Sequence, residues 1–544
     1  MRRWSWDRTC APLRGVSRLG LLPLSLAATL LVLVLPASGR AATFTVTKTT
    51  DTADGICDAD CSLREAVIAA NALLGADTVV VPAGTYTLTI PGASENAAAT
   101  GDLDVSDALT ISGAGSGSTT INGGGLDRVL DASLTSLPVA ISGVTLTGGS
   151  LGAAETGGGI NHSSGAITVT DAVIAGNSAG FGGGIDNSSG TMTLTNVTIS
   201  GNTAGRGGGV RNSSADMTFT NVAIAMNTAS SSGGGGISNS SGDLTLVTSS
   251  ITGNTSSGPG GGIETSTGVF VITDSSIANN TASGATADGG AIFTSSTNVT
   301  ISGSTFSGNS AGDDGGVFFN SSGTWTITNS TFSGNSAGDQ GGAFSFEGGT
   351  WTVTNVTLSG NSASEGGGLF LGSGTVTLRN TILANAPSEN CFQSFGTLSS
   401  SGNNLSNDTT CAFALTASGD LNNTDPMLGP LASNGGPTQT HALLGGSPAI
   451  DAAGGCPPPA TDQRGVVRPQ GPACDIGSFE LQGGVETPTL TPTVTPTGAP
   501  PTVTPTLTPV PGAPPTDIPT LSWPLLVLLA LGLAGVGLFV LKGI

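Results

Sequence analysis

Three carboxylates, Asp313, Asp339 and Glu365, fall just before a Gly-Gly pair in three successive copies of a repeat. Such spacing would gather acidic groups on one edge of a stacked structure. Two or three convergent carboxylates can work as acid and base on a glycosidic bond, or hold a cation or a glycan. The other reading is an acidic solubilising rim in the turns. A second acidic group, Asp51, Asp54, Asp58 and Asp60, crowds the N-terminal region. It offers the hard oxygens that calcium takes, but not the spacing of an EF-hand loop, and a solvated acidic turn is the competing reading. A lyase would need an Arg or Lys base beside its calcium. Between residues 157 and 385 the basic side chains are Arg206, Arg211 and Arg379, with no lysine. His441, Asp462 and Arg464 have the types of a catalytic grouping, yet Arg–Asp pairing or backbone bonding explains them as well. With His162 and His441 as the two histidines and no CxxC, a zinc site is not expected. No residue is therefore assigned as catalytic, and calcium is the one cofactor the acidic residues suggest.

The element that must position these residues is a repeat. From Gly157 to about Asn385 one phrase recurs nine times, beginning Gly-Gly-Gly-Ile at 157–160 and ending Gly-Gly-Gly-Leu at 366–369. A period of about 25 residues without a helical pattern marks a β-solenoid. One apolar column is Ile160, Ile185, Val210, Ile237, Ile263, Ile292, Phe318, Phe344 and Leu369. A second runs seven residues on, from Ile167 through Trp325 and Trp351 to Val376, and a third seven further, from Ile174 to Leu383. All three absorb the same insertions together, as stacked coils require. Thr alternates with apolar residues between them, as in TMTLT at 191–195, which is strand period. Three positions after the third column comes an asparagine ladder: Asn177, Asn202, Asn227, Asn254, Asn280, Asn309, Asn335 and Asn361. In the ninth coil Ala386 takes that position, so the ladder is expected to fray there. No Gly-Lys-Ser/Thr follows any glycine run, so these are turns, not phosphate loops.

Charge and termini bound the setting. The chain carries a formal charge of −21, and residues 42–520 hold eight basic residues against 35 carboxylates. Nucleic acid and anionic membrane surfaces are disfavoured as partners. Met1–Arg18 carries five arginines, Leu21–Leu35 is apolar, and Gly39 and Ala41 offer a cleavage site, which together read as a signal peptide. Six cysteines outside it suggest an oxidising compartment. They allow fifteen pairings, of which spacing favours the local set Cys57/Cys61, Cys391/Cys411 and Cys456/Cys474. Residues 486–517 form a Thr-Pro linker, and Leu525–Leu541 is apolar throughout, a candidate membrane segment.

Several stretches resemble known modules. Cys61-Ser-Leu-Arg-Glu-Ala66 is similar to the CSLREA module at the head of secreted bacterial β-helix proteins, and SLREAVIAANAL reads as a short amphipathic helix capping the first coil. Residues 425–480 resemble the C-terminal module that closes many such rods in choice-of-anchor-type proteins. The GGA-I/F and F-x-x-N phrases resemble repeats of polymorphic outer-membrane proteins, which are adhesins. Ile518, Pro519, Thr520 and Leu521 open a stretch that resembles an IPTL-type sorting signal, which implies an exosortase-type peptidase as partner. Pro524 and a single Lys542 depart from that pattern. The expected fold is all-β, a single-stranded parallel β-helix of about 12 coils with three short strands per coil and a helical N-terminal cap. Its right-handedness is what the resemblance implies. Seven segments are expected: a signal peptide (1–41), a CSLREA-like module and cap (42–90), degenerate first coils (91–156), the repeats (157–386), a C-terminal capping module (387–485), the linker (486–517) and the sorting signal with membrane segment (518–544). The expected role is a non-catalytic adhesion or envelope protein at the bacterial surface that binds glycans or other surfaces. The alternative is a polysaccharide lyase or glycoside hydrolase of the pectin-lyase-like fold.

Overall fold

The computed structural model describes residues 39–93, 95–385 and 387–482. The signal-like segment, Ala386, the Thr-Pro linker, Ile518–Leu521 and the apolar segment Leu525–Leu541 lie outside the described residues. Among the described residues no helix is long and apolar enough to cross a membrane.

The repeat forms a parallel β-helix. A 12-stranded parallel sheet takes one strand from each coil, from Leu103–Asp104 to Cys391–Gln393. The first apolar column lies on it, with Ile160 opposite Ile185, Ile185 opposite Val210 and Phe318 opposite Phe344. The second and third columns share one large sheet, where Ile167 pairs with Met192 and Ile174 with Ile199. Six coils add a fourth short strand after the asparagine, from Ser178–Phe181 to Ser310–Ala311. Three apolar columns therefore stand on two sheets, because the bend between the second and third does not break the ladder. At Thr324–Ser333 and Thr350–Ser359 one strand runs straight through that bend.

A left-handed residue makes the bend. Asp171, Asn196, Asn221, Thr248, Asp274, Asn329, Asn355 and Asn380 all have φ between 44° and 56°, a region Asn and Asp enter more readily than other side chains. The glycine run serves close stacking. Gly182 has φ +59°, and a Cβ on Gly183 would sit 2.5 Å from the carbonyl oxygen of Gly208 in the next coil.

Inside, like stacks on like. Trp325 and Trp351 lie with ring centroids 3.9 Å apart at 14°, and Phe318 stacks on Phe344 at 5.3 Å. Burial of each such side chain contributes about 1.5–3 kcal/mol. The asparagine ladder is buried and bonded rung to rung: Asn202 Nδ2 donates to Asn227 Oδ1 at 3.0 Å and to the Ile174 carbonyl at 2.9 Å. It does not stop at Asn361. Asn361 Nδ2 donates to Asn385 Oδ1 at 2.8 Å, and Asn385 in turn to Asn390 at 3.0 Å. Asn385 follows Leu383 by two residues where the earlier rungs follow their column by three, and it takes the rung. A second internal ladder stands two residues after the first column, where His162, Asn187, Asn212 and Asn239 join in sequence through contacts of 2.7–3.1 Å.

The helix Leu63–Ala72 caps the first coil with Leu63, Val67 and Ala70 buried. Ser62 and Glu65 form its capping box. At the other end, Cys391–Gln393, Thr397–Ser400 and Leu405–Ser406 add a further coil, and Cys411, Ala414 and Leu415 close its core. Ser418–Leu421 still stack on that end, with Leu421 bridged to Leu405, before the C-terminal segment turns back along the rod. Its antiparallel hairpin, Leu428–Ala432 with Thr440–Leu443, lies along the flank of the large sheet. Thr438 donates to the Gly303 carbonyl, Thr331 to Gln463, and Asn380 to the Asp475 carbonyl. A separate apolar cluster around Ile382, Leu405, Leu443, Ile476 and Phe479 holds it there. The three cysteine pairs Cys57–Cys61, Cys391–Cys411 and Cys456–Cys474 are disulfides.

Candidate functional site

The four N-terminal acids do not converge. Asp51 is paired with Arg64 at 2.7 Å and accepts the amides of Thr89 and Ile90. Asp54 and Asp58 accept amides two residues on, and Asp60 pairs with Lys48 at 3.1 Å. Each has a structural task, so these residues form turns and ion pairs instead of one ligand shell. The CSLREA stretch is likewise architectural. Arg64 is fully buried and donates to the carbonyls of Ala98, Gly101 and Asp102 at 2.8–3.0 Å, which ties the helix to the next coil.

The backbones of Asp313, Asp339 and Glu365 follow one another from coil to coil, with the Asp339 amide bonded to the Asp313 carbonyl and the Glu365 amide to the Asp339 carbonyl, each at 2.9 Å. Glu365 is also bridged to Gln340. The carboxylates that do meet are Asp313, Asp314 and Asp339, with oxygens within 4.8 Å of one another. Burial, then the neighbouring Asp313, Asp288 and Asp339, push Asp314 up to about 7 against the pull of the Gln340 amide. Asp288 rises to about 6, mainly through burial. His441, Asp462 and Arg464 are structural: His441 bonds the Gly429 carbonyl and Ser333, while Arg464 pairs with Asp462 at 2.7 Å and stacks on Phe479 at 3.6 Å.

A concavity lies at another corner of the coil, on the flank of the large sheet. It is a groove of about 430 Å³. Outward residues of four successive strands, Thr198, Ala223, Ser250 and Ser276, make its floor. One rim is the row of left-handed residues Asn196, Asn221, Thr248 and Asp274. Asn221 donates to Asn196 at 2.8 Å and Asn196 to Asp171 at 2.9 Å, so this rim is a second, exposed amide ladder. Pro437 and Thr438, between the strands of the C-terminal hairpin, line the groove as well. Gln463, 3% exposed, secures that connection by donating to Thr305, Thr438 and the Gln439 carbonyl at 2.9–3.1 Å. Among the groove-lining residues Asp274 is the one carboxylate, its pKa raised by burial, and none is basic. Donors and acceptors recur at coil spacing, about 4.8 Å. The rim was legible as a column of Asp and Asn three residues before the third apolar column; the part contributed by the hairpin was not.

Residues 183–346 match the family described as the right handed beta helix region. A search of the curated proteins finds no match. Among solved structures, the chain is similar to pectate lyase Pel9A at 14% identity, covering 82% of this chain and 97% of that one with a TM-score of 0.32. It is also similar to the catalytic domain of GH87 alpha-1,3-glucanase in complex with nigerose, at 11% identity over 66% of this chain and 69% of that one, TM-score 0.32.

Proposed function

We propose that this protein is exported, held at the cell surface, and binds glycans along the flank groove without cleaving them. The observation that carries the reading is the lining: amide and hydroxyl groups repeated from coil to coil beside a single carboxylate. Such groups bond sugar hydroxyls, whereas hydrolysis needs a second carboxylate across the bond. Three disulfides among the described residues are in keeping with an oxidising compartment. In this reading the C-terminal segment holds the chain in the membrane until a sorting peptidase acts at Ile518–Leu521. Mass analysis of the C-terminal peptide from the cell envelope tests that step; an intact residue 544 in the mature protein would rule it out.

Retention on a polysaccharide panel, with assay for new reducing or unsaturated ends, tests the binding. Ala223 points outward from the groove floor, so Ala223→Arg fills the groove without entering the core. Retention is expected to fall by roughly tenfold, the equivalent of 1.4 kcal/mol, with an unchanged melting temperature. Equal retention by Ala223→Arg would move the binding surface elsewhere. One observation favours a second reading, hydrolysis: Asp314, raised to about 7 beside Asp313 and Asp339, has the character of a general acid. New ends released by the wild type and abolished in Asp314→Asn would establish it.

A further inference from the structure

The first coils carry a buried acidic cluster that neither reading uses. Leu103 points into the core, so Asp102 and Asp104 project together from the opposite side of the strand. Asp131 is the direct partner of Asp104 on the next coil. On an open sheet face these carboxylates would be solvated, yet they are 3%, 1% and 5% exposed. One oxygen from each lies within 4.8 Å of the others.

Their partners do not balance them. Arg128 Nη1 reaches Asp131 at 2.5 Å and Asp102 at 3.5 Å. Asn161 Nδ2 and the Ser133 amide also donate to Asp131. Asp104 Oδ2 accepts the Ala98 amide at 2.7 Å, but its Oδ1 is buried with no hydrogen-bond partner. The other charged groups facing the cluster are acidic: Asp127 and Glu95. Arg64 donates to the Asp102 carbonyl, but its charge is already committed to Asp51. One guanidinium thus faces three buried carboxylates, one of which has an orphaned oxygen.

We propose that Asp102, Asp104 and Asp131 form a site for a divalent cation of the calcium class, clamping the first coils of the solenoid together. Calcium takes six to eight oxygens at about 2.3–2.6 Å. Three oxygens mutually within 4.8 Å fit on one such sphere, since oxygens on its opposite sides are about that far apart. The orphaned Asp104 Oδ1 supplies a ligand that no protein donor claims, and Asp104 and Asp131 come from adjacent coils, so the ion would bridge them. This inference is independent of the glycan-binding reading.

The test is calorimetric titration of the full-length chain in mild detergent with calcium chloride after chelation. The expected result for wild type at pH 7 is a saturable site. Asp104→Asn keeps an acceptor for the Ala98 amide but loses charge, and is expected to weaken calcium by roughly tenfold or more. Asp339→Asn, at the other acidic cluster, is expected to leave this site unchanged. If Asp104→Asn does not fold, Asp102→Asn takes its place. No calcium uptake by the wild type, or wild-type affinity in the folded Asp104 or Asp102 variant, overturns the proposal.

Discussion

Asn254 shows what a single residue does in this fold. Its Oδ1 accepts both the amide and the side-chain nitrogen of Asn227 at 3.0 Å, and its Nδ2 donates to the Ile224 carbonyl and to Asn280. Removing the side chain strands two buried donors at once, each orphaned group costing about 1–3 kcal/mol. Asn254→Ala is expected to lose about 3 kcal/mol in urea unfolding. Asn221, in the exposed rim, is a different kind of asparagine. Its backbone sits at φ 53°, which glycine also adopts, so Asn221→Gly is expected to change stability by less than about 1 kcal/mol. A loss from Asn221→Gly as large as that from Asn254→Ala would mean that the surface ladder carries structural weight.

At the scale of elements, the N-terminal helix depends on Arg64 as much as on its apolar face. A fully buried guanidinium with five protein contacts cannot be replaced by an ammonium that lacks the planar fork. Arg64→Lys is expected to cost about 3 kcal/mol, because it leaves Asp51 and three carbonyls imperfectly paired. Early proteolysis confined to the N-terminal coil would show the lesion. Glu65, beside it, has a carboxyl that burial alone would raise. The Ser62 amide, Thr52, the Asp54 amide and Lys48 together hold it down to about 2. A depressed folded pKa gives stability that is present above the ordinary value near 4.5 and lost as pH falls toward 2. Protection factors in the helix, taken relative to the intrinsic exchange rate at each pH, are therefore expected to fall between about pH 4.5 and 2. Unchanged protection factors across that window would mean the Glu65 contacts are not stabilising.

For the molecule as a whole, the dominant ionisable groups shift the other way. Burial raises Asp102 to about 8, Asp314 to about 7, and Asp288 and Asp475 to about 6. Below about pH 4 these acids are protonated in both folded and unfolded chains. As pH rises the unfolded chain releases its protons first, so stability falls until the folded pKa values are passed. With the Glu65 loss confined to still lower pH, the metal-free protein is expected to be most stable at or below about pH 4 and to weaken toward pH 8. Melting temperatures across that range, with and without chelator, check it; a curve still rising from pH 5 to 8 would contradict the burial of these carboxylates. Calcium at the proposed site of the first coils is expected to raise the melting temperature on the alkaline side.

Much of this architecture was legible in the chain because stacking forces identity. Each side chain must rest on its counterpart one coil away, so Ile160, Ile185 and Val210, or Asn177, Asn202 and Asn227, declare themselves as columns at a fixed period. The part that the C-terminal hairpin adds to the proposed binding groove obeys no such local rule. The groove is bordered by Pro437 and Thr438 and secured by Gln463, brought back more than 130 residues along the sequence onto Gly303 and Ser304. That Asp314 and not Glu365 joins Asp313 and Asp339 depends on where each side chain turns once the coils have stacked, which spacing does not reveal. The buried cluster of Asp102, Asp104 and Asp131 sits in the degenerate first coils, where the repeat is too weak to align by eye. Periodic contacts between near neighbours in the stack are written into the sequence itself. Contacts made once, between distant segments and through desolvation, exist only when the chain has folded.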